Sequence, residues 1–167
     1  MLIYSEVATE AGRLRVVCSS KGIAMVCSAR GTRTAFENSC QKQVGSRPGY
    51  GEIPASYKQA VIKAASGRDF APVPVDLSGL PKFQQKVLKA LQQVPRGEVR
   101  TYGWLARKAG RPAAARAVGN TMARNPIPFL IPCHRIVPSS GGVGNYGMGS
   151  RLKRDLLSRE GVAVDQL

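Results

Sequence analysis

One segment of the chain concentrates reactive side chains. Residues 129–135 read Phe-Leu-Ile-Pro-Cys-His-Arg, so an apolar run ends at Pro132 and is followed at once by Cys133, His134 and Arg135. His134 is the only histidine in the sequence, and Cys133 is one of four cysteines. A thiol beside an imidazole has the parts of an activated nucleophile, because the thiolate attacks carbon and an imidazole can take its proton. A lone cysteine is more often a small buried apolar residue, so the pair needs support from elsewhere. Adjacent side chains on a regular strand or helix diverge. Proton transfer between positions 133 and 134 therefore requires a bent backbone or a bridging water. Pro132 and Pro138 favour such irregular backbone.

A third group can be read from spacing. The pattern predicts a last helix over about 150–160, with Leu152, Leu156 and Glu160 recurring at i, i+4 and i+8 on its apolar face. A carboxylate directed at a core needs a partner, and His134 is the one imidazole to offer. The result is a Cys–His–Glu relay, a nucleophile with an oriented base. The alternative is a helix-end carboxylate facing solvent or paired with Arg159 or Lys153. Between the two motifs, residues 139–149 form a Gly-rich loop carrying Asn145 and Tyr146. It lacks the lysine and hydroxyl spacing of a phosphate loop. Either it lines a pocket with main-chain groups and a Tyr ring, or it is a plain flexible connection.

The elements that position these groups follow from periodicity. Phe83, Val87, Leu91 and Val94 recur near the helical period after Pro81, and Pro95-Arg96-Gly97 stops that helix. Residues 101–109 read as a short helix capped by Thr101, and 113–124 as a second, with a Gly110-Arg111-Pro112 turn between them. This is a helix-turn-helix candidate. The second helix is rich in Ala and Gly, so its backbone can approach another surface closely, with Arg116 and Arg124 as its long cationic projections. Tight helix–helix packing is the competing explanation. Upstream, residues 2–4, 14–18 and 23–27 read as strands of a small antiparallel sheet, with a hairpin turn at Ser20-Lys21-Gly22. Residues 31–52 have no clear period and read as a loop. Tyr57–Ala65 is a short helix. Phe70–Leu77, with two prolines, is an edge strand or linker at the boundary between domains 1–78 and 79–167.

Composition narrows the class. The chain has 167 residues, 43% of them apolar, enough to bury a core. It carries 25 Lys and Arg against 10 Asp and Glu, a net charge of +15, and most of that excess lies after residue 80. A field of this sign attracts a polyanion, nucleic acid first. No apolar run is long enough for a membrane span, and the N-terminus lacks a basic start with an apolar signal core, so neither membrane insertion nor secretion is expected. Four cysteines at 18, 27, 40 and 133 do not form a disulfide-dense pattern, and none has zinc-finger spacing.

The run Ile131-Pro132-Cys133-His134-Arg135-Ile136 resembles the signature of the O6-alkylguanine-DNA alkyltransferases. Thr101-Tyr102-Gly103, Ala115-Arg116-Ala117-Val118-Gly119, Asn125-Pro126-Ile127-Pro128, Gly144-Asn145-Tyr146 and Glu160-Gly161 fall in that family's order and spacing. The resemblance covers about residues 81–162. Residues 1–80 match only as a β-rich N-terminal domain. It implies an α+β fold: a small three-layer, ribonuclease H-like N-terminal domain, then a mostly helical domain with a helix-turn-helix. The implied activity is single-turnover transfer of an alkyl group from flipped-out O6-alkylguanine in double-stranded DNA to Cys133. His134 would be the base acting through water, Glu160 its orienting carboxylate, and Asn125 a brace of the active-site turn. Tyr102 would donate to guanine N3. The main chain of Cys133, Ile136 and Gly147 would read the guanine edge, with Tyr146 and Met148 around the pocket. Arg116 would fill the gap left by the flipped nucleotide. Thr101, Ala115, Gly119, Arg124 and Arg135 would join it in contacting the minor groove.

The resemblance requires no cofactor and no metal, and implies a monomer, cooperative on DNA, working where the genome is: the cytoplasm of a prokaryote or the nucleus of a eukaryote. Many relatives have Ser where Gly147 stands and Gly where Met148 stands. Cys18 and Cys27, on neighbouring predicted strands, are candidates for a disulfide. Two other readings compete: a non-catalytic lesion-sensing DNA-binding protein, and a Cys–His hydrolase that turns over many times.

Overall fold

The computed structural model describes the backbone of residues 1–167 and every side chain except those of Gln43 and Val44. It is a mixed α and β structure. Strands β1 (Ile3–Thr9), β2 (Gly12–Ser19) and β3 (Gly22–Ser28) pair antiparallel in sequence order. The β1–β2 turn is closed by Thr9, whose Oγ1 accepts from Ala11 N–H at 3.1 Å and donates to the Gly12 carbonyl at 2.7 Å. A two-residue strand, β4 (Gly49–Tyr50), adds to the free edge of β1 in parallel, so the sheet is mixed rather than wholly antiparallel, in the order β3-β2-β1-β4.

The opposite edge is covered by the proline-bearing segment. Pro74 accepts from Ile23 N–H at 2.9 Å, and Asp76 N–H returns a bond to Ile23 at 2.7 Å. Gly22 makes that approach possible. Its φ is +142°, and a Cβ there would lie 2.3 Å from the Pro74 oxygen. A proline-rich strand suits an edge because it has few N–H groups to offer a further partner.

Residues 31–52 correct the sequence reading. They hold helix α1 (Arg33–Val44), opened by Thr32 Oγ1 accepting from Ala35 N–H at 3.1 Å. The helix covers the outer face of the sheet. There Arg15, 2% exposed, donates to Glu6 and to the carbonyls of Arg30 and Gly31, and lies over the Phe36 ring. The other face packs on α2 (Ala55–Ala65) through Ala60, Val61, Ala64 and Ala65. All four cysteines are free. Cys18 stands opposite Ile23 and Cys27 opposite Arg15, a register that does not pair the two thiols.

The second half is built on helices. α3 (Lys82–Leu91) buries Val87, Leu88, Ala90 and Leu91. The strand β5 (Arg100–Thr101) leads directly into α4 (Tyr102–Lys108), whose first turn is capped by Thr101 Oγ1 accepting from Trp104 N–H at 3.2 Å. After a turn, α5 (Ala115–Ala123) packs on α3 and α4 through Val118 and Thr121. β6 (Ile136–Val137) runs parallel to β5, and α6 (Ser150–Arg159) closes the domain. One continuous apolar cluster joins the inner face of the sheet to α2–α6. Polar ties cross the same boundary. Arg96 donates to the carbonyl of Gly67, Arg159 pairs with Glu10, and Val26 N–H reaches the Pro126 oxygen at 2.8 Å. No helix among the described residues is long and apolar enough to cross a membrane.

Candidate active site

The reactive segment sits on the irregular backbone that its prolines require. Cys133–Arg135 form a single turn of 3-10 helix after Pro132 and before β6. Upstream, the chain turns sharply at Phe129, whose φ of +70° is the one left-handed non-glycine conformation among the described residues. Asn125 spans this turn. Its Oδ1 accepts from Ile127 N–H at 2.9 Å, and its Nδ2 donates to the Ile131 carbonyl at 3.0 Å and to Cys133 Sγ at 3.3 Å. One amide therefore fixes both ends of the bend and aims a donor at the sulfur.

Behind the sulfur lies a buried charge array. His134, 1% exposed, approaches Glu160 Oε1 with its Nε2 at 2.8 Å. Arg135 donates to the same carboxylate from Nε at 2.8 Å and from Nη2 at 2.9 Å, and its Nη1 donates to the Val94 carbonyl at 2.7 Å. Burial alone would raise the Glu160 pKa, but the hydrogen bonds and charges of His134 and Arg135 outweigh it and hold it down at about 2. Glu160 is thus an acceptor throughout the neutral range, so the proton of the His134 ring resides on Nε2. Nδ1 carries the lone pair, and it is buried with no hydrogen-bond partner among the described residues.

The sulfur is enclosed but reachable. Cys133 is 8% exposed and forms part of the wall of a cavity of about 360 Å³, with Tyr102, Gly119, Met122, Tyr146 and Gly147. Burial pushes the thiol pKa up. The Asn125 amide, the Lys153 ammonium, its own backbone and the Tyr146 side chain oppose that shift without cancelling it. Cys133 therefore rests as a thiol. Burial, and secondarily the neighbouring sulfur, also raise both tyrosines, so Tyr102 and Tyr146 face the cavity as protonated hydroxyls. The Tyr146 hydroxyl is buried, and the group it faces is the Cys133 sulfur.

Lys153 is the residue that sequence reasoning missed. It is 1% exposed and donates from Nζ to the Ile136 carbonyl at 2.6 Å and to the Asn145 carbonyl at 3.2 Å. It thus ties the strand after the reactive turn to the Gly-rich loop. Burial lowers its pKa to about 8, against the pull of Cys133. A signal for it existed. Lys153, Leu156, Leu157 and Glu160 are spaced i, i+3, i+4 and i+7, one helical face, whereas Leu152 lies at its margin and is only partly buried. The loop it anchors needs Gly144, where a Cβ would lie 2.7 Å from the Pro138 ring at a φ of +72°.

The structure brings Cys133, His134, Glu160, Asn125, Tyr102, Tyr146 and Gly147 into one site. Met148 stands apart from this cavity and lines an adjoining one. Ile136 is fully buried, and its carbonyl accepts from Lys153 Nζ. Arg135 corrects the sequence reading, because its donors are turned inward on Glu160 and Val94 and are not presented to a phosphate. Thr101 acts as the helix cap. Ala115, Arg116, Ala117, Ala123 and Arg124 are exposed on the outer side of α5, and Gly119 faces the cavity near Tyr102. The small residues of α5 therefore do not serve tight packing against another helix. No group of three or more His, Cys, Asp or Glu placed to hold a metal ion occurs among the described residues.

Residues 82–162 match the family model described as 6-O-methylguanine DNA methyltransferase, DNA binding domain. The methylated-DNA–protein-cysteine methyltransferase of Mycolicibacterium paratuberculosis is 41% identical over 121 residues, covering 69% of this chain and 72% of that protein. The human protein of the same name is 51% identical over 94 residues, which is 53% of this chain but 45% of the human one. Among solved structures, the Mycobacterium tuberculosis O6-methylguanine methyltransferase superposes with a TM-score of 0.74 at 33% identity, covering 96% of this chain and 93% of that one. The M. tuberculosis protein in complex with DNA gives 0.75 at 31% identity, covering 94% and 91%.

Proposed function

The chain belongs to the methylated-DNA–protein-cysteine methyltransferase family, and from that membership we propose how its residues repair DNA: Cys133 takes the alkyl group from O6 of an alkylguanine and keeps it. The observation that carries this reading is the disposition of His134. Its Nε2 is locked on Glu160, and its free Nδ1 lies on the residue next to a thiol that walls a cavity. A water between Nδ1 and Sγ relays the proton, which resolves the divergence of adjacent side chains. The resting thiol is deprotonated on demand, and the imidazolium that forms is stabilised by the Glu160 carboxylate.

The alkyl carbon lies out of reach inside a duplex, so the nucleotide must leave the stack at a cost of a few kcal/mol. The basic second half offsets that cost through phosphate contacts. α4 and α5 act as a helix-turn-helix, with the small outer residues of α5 letting its backbone lie close in the minor groove. Arg116, exposed there, occupies the space the nucleotide leaves, and Arg124 meets the backbone beside it. The flipped guanine enters the 360 Å³ cavity between Tyr102 and Tyr146. Main-chain groups of Cys133 and Gly147 meet its edge, and the protonated Tyr102 hydroxyl donates to N3 as charge leaves with the base. Asn125 and Lys153 fix the sulfur and the loop, and Arg135 serves as a positioning residue for Glu160.

The product is a thioether, from which sulfur has no easy path of departure, so each molecule acts once. Residues 1–78 form a layered N-terminal domain of ribonuclease H-like type beside the reactive domain 79–167. The protein works as a monomer on double-stranded DNA, in the compartment that holds the genome. The test compares the parent chain with Cys133→Ala on a duplex carrying one O6-methylguanine. Loss of the lesion with the parent, and binding without loss in the variant, are expected. Binding without loss in both would favour a lesion sensor, and many turnovers per molecule would favour a hydrolase.

A further inference from the structure

α3 carries a charge pattern that the transfer chemistry does not use. Lys82, Lys86 and Lys89 are exposed at i, i+4 and i+7, on the side of the helix away from Val87, Leu88 and Leu91. The row runs about 10 Å along the axis, at about 1.5 Å per residue. A solvated helix face ordinarily mixes signs, because Glu four residues ahead of Lys steadies a helix and like charges at that spacing weaken it. Here Lys86 has Lys82 one turn before it and Lys89 one turn after it. The first turn holds no acid to meet the helix dipole, only Lys82. Acids are scarce in the surrounding sequence too. Residues 77–154 contain fourteen Lys and Arg but one acid, Glu98, which is paired with Arg100. None of the three lysines has an ion-pair or hydrogen-bond partner among the described residues. The fold thus keeps a row of positive charge against its own repulsion, and a polyanion laid along it relieves that repulsion.

The row is tied to the helix assigned to the minor groove. Phe83, next to Lys82, carries the Arg111 guanidinium over its ring, 4.9 Å from the centroid. Arg111 lies in the turn between α4 and α5, where its carbonyl accepts from Ala114 N–H at 2.9 Å, and Arg116 stands on the first turn of α5. α3 also packs directly on α5. Arg111 therefore links the lysine row to the start of α5. Resting on the DNA-repair reading, we infer that the Lys82–Lys86–Lys89 face of α3, joined by Arg111, is a second phosphate-binding surface that holds the flank of the duplex whose lesion lies at α5. Lysine suits this task, because its ammonium is a compact point charge on a flexible stem. Such contacts add affinity and fix the duplex in place without reading its sequence.

The test measures DNA affinity against salt for the full chain and for the triple variant Lys82→Gln, Lys86→Gln, Lys89→Gln, which keeps good helix formers at all three positions. Two lesion-bearing DNAs are used, a hairpin of about 8 base pairs and a duplex of about 24, roughly 27 and 80 Å long at about 3.4 Å per pair. On the longer duplex the parent's log–log salt slope should be steeper than the variant's by about 2 to 3, at about 0.9 per phosphate. Its affinity advantage should then shrink about fortyfold between about 50 and 200 mM salt. On the hairpin, which lacks the flank, the two slopes should agree. A control, Lys21→Gln, Lys42→Gln, Lys63→Gln, removes equal charge from exposed positions of the N-terminal half and should keep the parental slope. Equal slopes for parent and α3 variant on the longer duplex, a loss of the same size on the hairpin, or the same loss in the control would each overturn the inference. So would an α3 variant that melts below the parent, because shedding like-charge repulsion should leave α3 at least as stable. A parent that binds neither DNA would instead defeat the DNA-repair reading itself.

Discussion

Replacing Glu160 by Gln keeps the side chain's shape and removes its charge. In the parent the carboxylate accepts one hydrogen bond from His134 and two from Arg135. The amide has one oxygen and two N–H donors, so at least one donor of Arg135 or His134 meets another donor. The energy follows from linkage. The Glu160 pKa falls from an ordinary 4.5 to about 2, which corresponds to roughly 3 kcal/mol of stability held by the ionised form. Because the folded value lies below the unfolded one, this stabilisation is complete above pH 4.5 and drains away as pH falls toward 2. Gln should therefore cost about 3 kcal/mol at pH 7, in keeping with breaking a buried ion pair from one side. The same change frees the His134 ring to carry its proton on Nδ1, the wrong tautomer for accepting one from Cys133. Transfer should slow by a factor on the order of 10² to 10⁴. Denaturant titrations of both proteins from pH 7 down to pH 3, with single-turnover rates at pH 7, measure both effects. The parent should lose its advantage over the variant as the acid limb is descended. A variant as stable as the parent at pH 7, or one that transfers at the parental rate, would refute the reasoning.

Three further outcomes are expected. Cys133→Ala should abolish transfer yet hold alkylated duplex with an affinity close to the parent's, because the sulfur and the basic surface are separate; gel-shift and lesion-loss assays on the same samples check this. Arg116→Ala should slow repair of duplex at least about tenfold more than reaction with free O6-benzylguanine, since the free base needs no extrusion; equal losses on the two substrates would count against an extruding role. Lys153→Met should lose a pH dependence. The Lys153 pKa is about 8 when folded and 10.5 ordinarily, so between these values the unfolded chain binds more protons and the parent gains stability as pH rises. Melting curves from pH 7.5 to 10.5 should show that rise in the parent and a flat profile for this group in the variant.

The helices of the second half were legible because each announces itself locally. The stripe Phe83–Val87–Leu91, the Thr101 cap and the Leu156–Glu160 spacing depend on neighbours within a turn or two. So did the site, since Cys133, His134 and Glu160 combine a rare residue with a buried carboxylate that needs a partner. What escaped depends on distant contacts. α1 buries little apolar surface, and its packing comes through Phe36 on Arg15 and Glu37 on Tyr4, partners that a local period does not reveal; its cap, Thr32, was the available clue. β4 exists only because β1 offers an open edge. Arg135 reads as a surface cation until Glu160 and Val94 are placed around it, and the role of Lys153 emerges only once the Ile136 and Asn145 carbonyls are brought to it.

The most direct test is the stoichiometry of the reaction. The chain is incubated with excess duplex carrying O6-methylguanine, and intact protein and its peptides are weighed as the lesion is counted. Repair should stop at one lesion per protein molecule, with a single methyl increment confined to the peptide that holds Cys133. Repair continuing past equivalence, or a methyl found on Cys18, Cys27 or Cys40 while Cys133 remains bare, would contradict the assignment.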